Sequence, residues 1–422
     1  YSLRNNAEWG CYILASDFVI DPSKFRIVKD HGKSGDDPYF EVTVAPGVKG
    51  NVIVGIGHTK DATRSISWSW HLWIVKDYDA ASTDYYVTTK GINAYMMDRN
   101  LGATCNPLLV AEPNLNDYIA ARGLCYQWGR KDPFIGHQSA RGYATQALLF
   151  AADGTSKKLY SCYGGDAVMM GVAPVDAANS DDINDIVAWT VANPHKFIAP
   201  PGDGSNGFQW VSTTTAVPAS ADAEWPKLWG NAEYSSIWDK GGVKTMYDPC
   251  PVGYSVPAPG KFAFITSHQD DATAYYNNNA AWKYNCREQI FDDALNADNV
   301  YPAINTTFKQ RPYGMHFSIH GAKTPAEVEE GAQNYGVEPE DKTVAYFPVT
   351  GHFNYGMSDY TYSDWSAVTA FSNAPTPDKA YGSGMNYFMS ANYAGDFYRY
   401  NYRSMSYGDQ QGKAMPVRCV RE

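Results

Sequence analysis

Ile66-Ser-Trp-Ser-Trp-His-Leu-Trp-Ile74 alternates wide apolar residues with mostly small or polar ones. Successive side chains of an extended strand point to opposite faces. Ile66, Trp68, Trp70, Leu72 and Ile74 are therefore expected on one face, and Ser67, Ser69, His71 and Trp73 on the other. A period-two stripe carrying two indoles reads as a core face that packs against a second layer. Just upstream, Phe40-Glu-Val-Thr-Val44 repeats the pattern, with Phe40, Val42 and Val44 together. Residues 1–76 thus read as an N-terminal β-rich segment, either separate from residues 77–422 or part of the same domain.

Composition agrees with a β-rich, loop-heavy chain. Of 422 residues, 36 are Gly and 24 Pro, so turns are frequent; hydrophobic residues reach 44%, enough for a sizeable core. Charged residues are only 19%, and the formal net charge of −11 comes without a Lys/Arg cluster, which argues against nucleic acid and against anionic lipid. No apolar run approaches the ~20 residues a membrane helix needs. Tyr1 opens into folded-looking sequence without a leader, as expected of a processed or trimmed chain. The seven cysteines, at 11, 105, 125, 162, 250, 286 and 419, include no Cys-x-x-Cys pair, which weakens zinc and thioredoxin-like readings.

Helices are few. Asn116 is placed to cap a helix running from Asp117 to Trp128, ended by Gly129, with Arg130 and Lys131 on its negative end. Ser180 is placed to cap a second, with Ile183, Ile186, Val187 and Thr190 on one face and a stop at Asn193-Pro194.

Several phrases then line up in order: Gly10-Cys-Tyr-Ile-Leu14, the tryptophan strand, Met97-Asp-Arg-Asn-Leu-Gly-Ala103, Gly123-Leu-Cys-Tyr-Gln-Trp-Gly-Arg-Lys-Asp-Pro-Phe134 and Asn193-Pro-His-Lys-Phe-Ile198. After them come Leu228-Trp-Gly230, Tyr247-Asp-Pro-Cys-Pro-Val-Gly-Tyr-Ser-Val-Pro257 and Pro416-Val-Arg-Cys-Val-Arg421. Together they resemble fimbrillin-family tip proteins of Bacteroides-type bacteria that carry the Fibrobacter major paralogous domain. The resemblance implies an α+β, β-rich, C-type-lectin-like fold over 77–422, with long inserted loops, similar to the core of sulfatase-modifying factors. It also implies that Cys250 and Cys419 form a disulfide, since one opens the Tyr247–Pro257 phrase and the other sits in the last strand.

Motifs that suggest chemistry each meet a plainer reading. Glu112-Pro-Asn114 spells the mannose motif of animal C-type lectins, but it stands ahead of the core phrase and next to Asn116-Asp117, as a helix cap would. Asp203-Gly-Ser-Asn-Gly207 has oxygens spaced for calcium but lacks the later bidentate Glu of an EF-type loop; it leaves calcium as the one cofactor still open. His316 and His320 flank Phe317-Ser-Ile319, which suits a strand, and there the two rings would stand about 13 Å apart, too far for one ion. Asp98-Arg99-Asn100 reads as a hydrogen-bonded anchor where a strand meets a loop. No nucleophile elbow and no cysteine beside a plausible base is found, and the reactive cysteine pair of sulfatase-modifying oxidases is missing from the C-terminal region, so no catalytic residue and no metal ligand is assigned.

The functional signal lies in residues 353–407. Tyr355, Tyr360, Tyr362 and Trp365 are interleaved there with Gly, Ser, Asn and Asp, and Tyr398, Tyr400 and Tyr402 alternate with Arg399, Asn401 and Arg403. As a strand the latter would set a tyrosine face against a cationic one. Tyr among Ser, Gly and Asn is the mixture recognition surfaces use. These nine Tyr, Trp and Arg residues are the candidate ligand-binding set. The expectation is a non-enzymatic, extracellular cell-surface adhesin or fimbrial tip that binds a glycan or a host or bacterial surface protein, with fimbrial stalk subunits as further partners. A structural cap or linker of a surface fibre is the alternative, and a polysaccharide-acting enzyme a remoter one.

Overall fold

The computed structural model describes residues 9–18, 20–21, 23–30, 39–58, 66–76, 78–89, 92–127, 129–134, 243–257 and 414–422, with shorter pieces at 148–150, 156–158, 183–192, 194, 228–231, 286–289, 314–319, 343–348, 365–366 and 389–390. They are β-rich. Five strands open the chain: β1 (Trp9–Ser16), β2 (Phe25–Asp30), β3 (Tyr39–Val44), β4 (Gly50–His58) and β5 (Ile66–Ile74). Antiparallel pairing gives one sheet in the order β1-β4-β5 and a separate β2-β3 hairpin. The two layers close on a core of Ile20, Phe25, Val52 and Val54, with Ile13, Ile27, Phe40, Val42, Leu72 and Ile74 packed against it. Phe40 and Val42 thus lie inward as expected, whereas Val44, at the strand end, is exposed.

The tryptophan strand departs from simple alternation at one point. Ile56 pairs with Trp68, but Gly57 pairs with Ile66, so Ser67 is an extra residue, as in a β-bulge. Directly paired residues share a face, and Ser69 pairs with Gly55. Ile66 therefore lies with Ser69, His71 and Trp73, not with Trp68 and Trp70. A Cβ on Gly55 would sit 2.8 Å from Leu14 and 3.2 Å from Ile66 on that same side. Both faces of the sheet are used. Leu72 and Ile74 meet the hairpin, Trp70 stays 38% exposed over Phe40, and the Ser69-His71-Trp73 face is covered by residues 102–132.

Beyond residue 76 come α1 (Ala80–Thr83), β6 (Tyr85–Thr89), β7 (Ile92–Met96), a 3-10 turn at Pro107–Leu109, α2 (Leu115–Ala120), β8 (Cys125–Gln127), β9 (Leu148–Phe150), β10 (Ser156–Lys158) and α3 (Ile183–Ala192). Then follow β11 (Gly230–Asn231), β12 (Val243–Lys244), β13 (Tyr254–Ser255), β14 (Cys286–Gln289), β15 (Gly314–Ile319), β16 (Thr343–Pro348), β17 (Trp365–Ser366), β18 (Met389–Ser390), β19 (Ala414–Pro416) and β20 (Val420–Arg421). The sheet that organises this region has the order β13-β20-β7-β6, and β19 pairs with β8.

Two helix expectations fare differently. α3 runs as read, with Val187 and Thr190 buried and the chain turning at Pro194. The helix expected from Asp117 to Trp128 stops at Ala120 instead. Gly123 then adopts φ +77°, and a Cβ there would lie 2.7 Å from Leu101 O. Cys125-Tyr-Gln127 is a strand bonded to residues 414–416, so Arg130 and Lys131 do not follow a helix end. Nor is Asn116 the cap. The Asn114 side chain accepts from Asn116 N at 2.8 Å and Asp117 reaches back to Asn114 N at 2.9 Å, a reciprocal cap that accounts for the Asn of Glu112-Pro-Asn114.

Candidate functional site

Val417–Cys419 is buried and fixed from several sides. Met97 N–H donates to Cys419 O and Leu101 N–H to Val417 O. Tyr254 and Ser255 pair with Arg421 and Val420, and Cys250 and Cys419 are joined by a disulfide across a Cα–Cα distance of 5.9 Å. This is the pair that the resemblance implied. Asp98, Arg99 and Asn100 form the buried anchor. Arg99 grips Asp98 through both carboxylate oxygens, at 2.8 and 2.9 Å, Asn106 adds a bond to Asp98, and Asn100 donates to Arg122 O. Arg418, 1% exposed, donates from Nε to Asn100 Oδ1 at 3.1 Å and from Nη2 to Tyr346 O at 2.7 Å. A guanidinium there carries enough donors to tie strands from three parts of the chain.

The covered face of β4 and β5 holds a second polar system. Asn51 donates from Nδ2 to Asp17 Oδ2 and Gly102 O, which leaves its Oδ1 as the acceptor for His71 Nε2 at 2.9 Å. His71 is therefore the Nε2–H tautomer, and its bare Nδ1 accepts from the Tyr126 hydroxyl at 2.9 Å. Burial holds its imidazole down at about 3, so it is neutral. Beside it, Ser69 donates to Asp132, Lys131 Nζ lies 2.6 Å from Asp132 Oδ2 and touches Ser69 Oγ, and the Trp68 ring lies under the same ammonium at 4.5 Å.

Serine beside lysine is the composition of a nucleophile and its base. Here burial lowers the Lys131 ammonium, the Asp132 carboxylate opposes that, and Ser69 is a mid-strand residue 2% exposed. The arrangement locks two layers together. Burial likewise pushes the Cys125 thiol far up, which makes it a poor nucleophile.

At the edge of the organising sheet, Tyr78 and Tyr254 donate to the two oxygens of Asp84, at 2.6 and 2.8 Å, and Arg421 Nη2 meets the same carboxylate at 2.7 Å. Arg421 also stacks over Tyr95, which is 46% exposed. This is the aromatic-cationic surface that the described residues display.

Of the sequence-assigned residues, Tyr355, Tyr360, Tyr362, Tyr398, Arg399, Tyr400, Tyr402 and Arg403 lie outside the described residues. So do the Asp203–Gly207 loop and His320. Trp365 is described as backbone only, paired with Ser390, and His316 stands in β15, a strand as expected. What the structure does place are two strands that lie on either side of the 353–407 stretch in sequence. β16 precedes it and is bonded through Tyr346 O to Arg418; β19 follows it and pairs with β8. Arg418 itself was overlooked, although a lone Arg between Val417 and Cys419 is the sequence mark of a buried, fully partnered charge. Among the described residues no group of three or more metal-ligating side chains occurs, and no helix is long and apolar enough to cross a membrane. No family model, curated protein or solved structure matches the chain.

Proposed function

We propose that this chain is an extracytoplasmic, non-catalytic recognition module, an adhesin or fimbrial tip with a C-type-lectin-like C-terminal region, that binds a glycan or a surface protein through the aromatic segment 353–407. The observation that carries the reading is that the strands on either side of this segment converge on one rigid place. Arg418, just past the 414–416 strand, donates to Tyr346 O in the 343–348 strand, and the neighbouring Cys419 is stapled covalently to Cys250. A long Tyr, Ser, Gly and Asn segment set in sequence between two strands of a bonded scaffold is how proteins place binding loops. A disulfide in the scaffold fits an oxidising compartment, outside the cytoplasm.

A glycan array, run with and without chelator, tests this reading alongside the Tyr398→Ser, Tyr400→Ser, Tyr402→Ser triple variant. The reading expects hits that the triple variant loses. Hits that survive the triple variant, or silence on glycans and on a surface-protein panel alike, contradict it.

A further inference from the structure

The turn that carries Cys250 is built round a single positive charge. Lys244 Nζ lies 2.5 Å from Cys250 O, 2.6 Å from Tyr254 O, 3.2 Å from Asp248 Oδ1 and 3.3 Å from Pro251 O. An ammonium has three protons, so four oxygens round it exceed what one-to-one hydrogen bonds satisfy. Three carbonyls and a carboxylate converging from one turn are instead the hard-oxygen donor set that proteins give to metal cations.

The cradle is prebuilt. Asp248 Oδ2 is spent on Val256 N and its Oδ1 also accepts from Cys250 N. Tyr254 N closes the turn on Pro251 O, with Gly253 at φ +82°. The Asp248 side chain is 1% exposed and that of Lys244 22%, so the carboxylate is sealed from solvent while the lysine stem reaches the surface. One carboxylate balances one charge, and four oxygens fall short of the six to eight that calcium takes.

We propose that the turn 248–254 is a monovalent-cation site occupied by the protein's own tethered cation, Lys244, and that truncating this side chain opens it to free potassium or sodium. The loop that positions the disulfide is then held without metal in the native protein, and chelation leaves it intact.

The test is thermal melting of the full chain and of Lys244→Ala in potassium, sodium and choline chloride at equal ionic strength, with calcium chloride as a further arm. In choline the variant should melt at least about 5 °C below the parent, because a buried carboxylate loses its partner. Potassium or sodium should restore at least half of that loss, saturably, while the parent melts alike in all three salts. Equal melting of the variant in potassium, sodium and choline overturns the proposal, and so does recovery with calcium alone. Should the variant not fold in any salt, the native chain decides. Reductive methylation should spare Lys244 while the exposed Lys24 and Lys49 are dimethylated; labelling of Lys244 at their rate overturns the proposal.

Discussion

The two regions of this molecule are held together by different physics. In the N-terminal sheets the buried polar residues are Ser16, Asn51 and Ser69, all uncharged, and the layers close on Val52, Val54 and Phe25. In the frame that follows, Asp98, Arg99, Arg122, Arg130, Asp132, Asp248 and Arg418 are buried too. Among the described residues these charges all lie after residue 76, as does Asp84, whose carboxylate is fully covered. Apolar layers gain from area and tolerate change by degrees. Buried charges gain only as complete sets, so losing one member leaves its partner stranded. The frame is therefore the more exacting half, and it includes the strands 343–348 and 414–416 that lie on either side of the aromatic segment in sequence.

The largest expected effect comes from its covalent staple. Replacing both Cys250 and Cys419 by Ser should cost roughly 5 kcal/mol by loop entropy, since the bridge spans 169 residues. Denaturant unfolding of the double variant checks this, and an unchanged midpoint would mean that the frame does not need its bridge. Next, Asp132→Ala strands Lys131 and Ser69 and should cost about 4 kcal/mol in the same assay. In the other region Val54→Ala, at a fully buried position, should cost only about 2 kcal/mol. Were Val54→Ala to prove worse than Asp132→Ala, the contrast between the halves would fail.

A pH-dependent effect concerns the seam between them. His71 titrates near 3 when folded and near 6.5 when unfolded. The unfolded chain therefore binds the extra proton between those values, and stability falls as pH drops below 6.5, by up to about 1.4 kcal/mol per pH unit, until the folded ring protonates. His71→Gln should flatten that slope in unfolding measured from pH 7 to pH 4; an unaltered slope would assign the acid sensitivity to other groups.

What the sequence disclosed depended on how local each signal was. The Ile66–Ile74 alternation, the Phe40–Val44 strand and helix α3 are written in neighbouring residues. The bulge at Ser67 is not, because the residue it opposes lies on another strand, and it moved Ile66 to the other face. Helix α2 was drawn too long for the same reason. Cys125-Tyr-Gln127 has helix-tolerant residues, and only pairing with Ala414–Pro416, far along the chain, makes it a strand. What covers the face of Ser69, His71 and Trp73 is not legible in the strand itself, because their partners, Asp132, Tyr126 and Ala103, come from the next region. The Cys250–Cys419 pair came from an ordered resemblance, not from spacing, and Arg418 passed unremarked between apolar neighbours.

The proposed function requires that the tyrosines of 353–407 meet solvent. Nitration of the native chain with tetranitromethane, mapped by mass spectrometry, tests it most directly. Tyr398, Tyr400 and Tyr402 should be modified while Tyr126 and Tyr346, sealed in the frame, stay untouched. Protection of those three to the level of Tyr126 would contradict the claim.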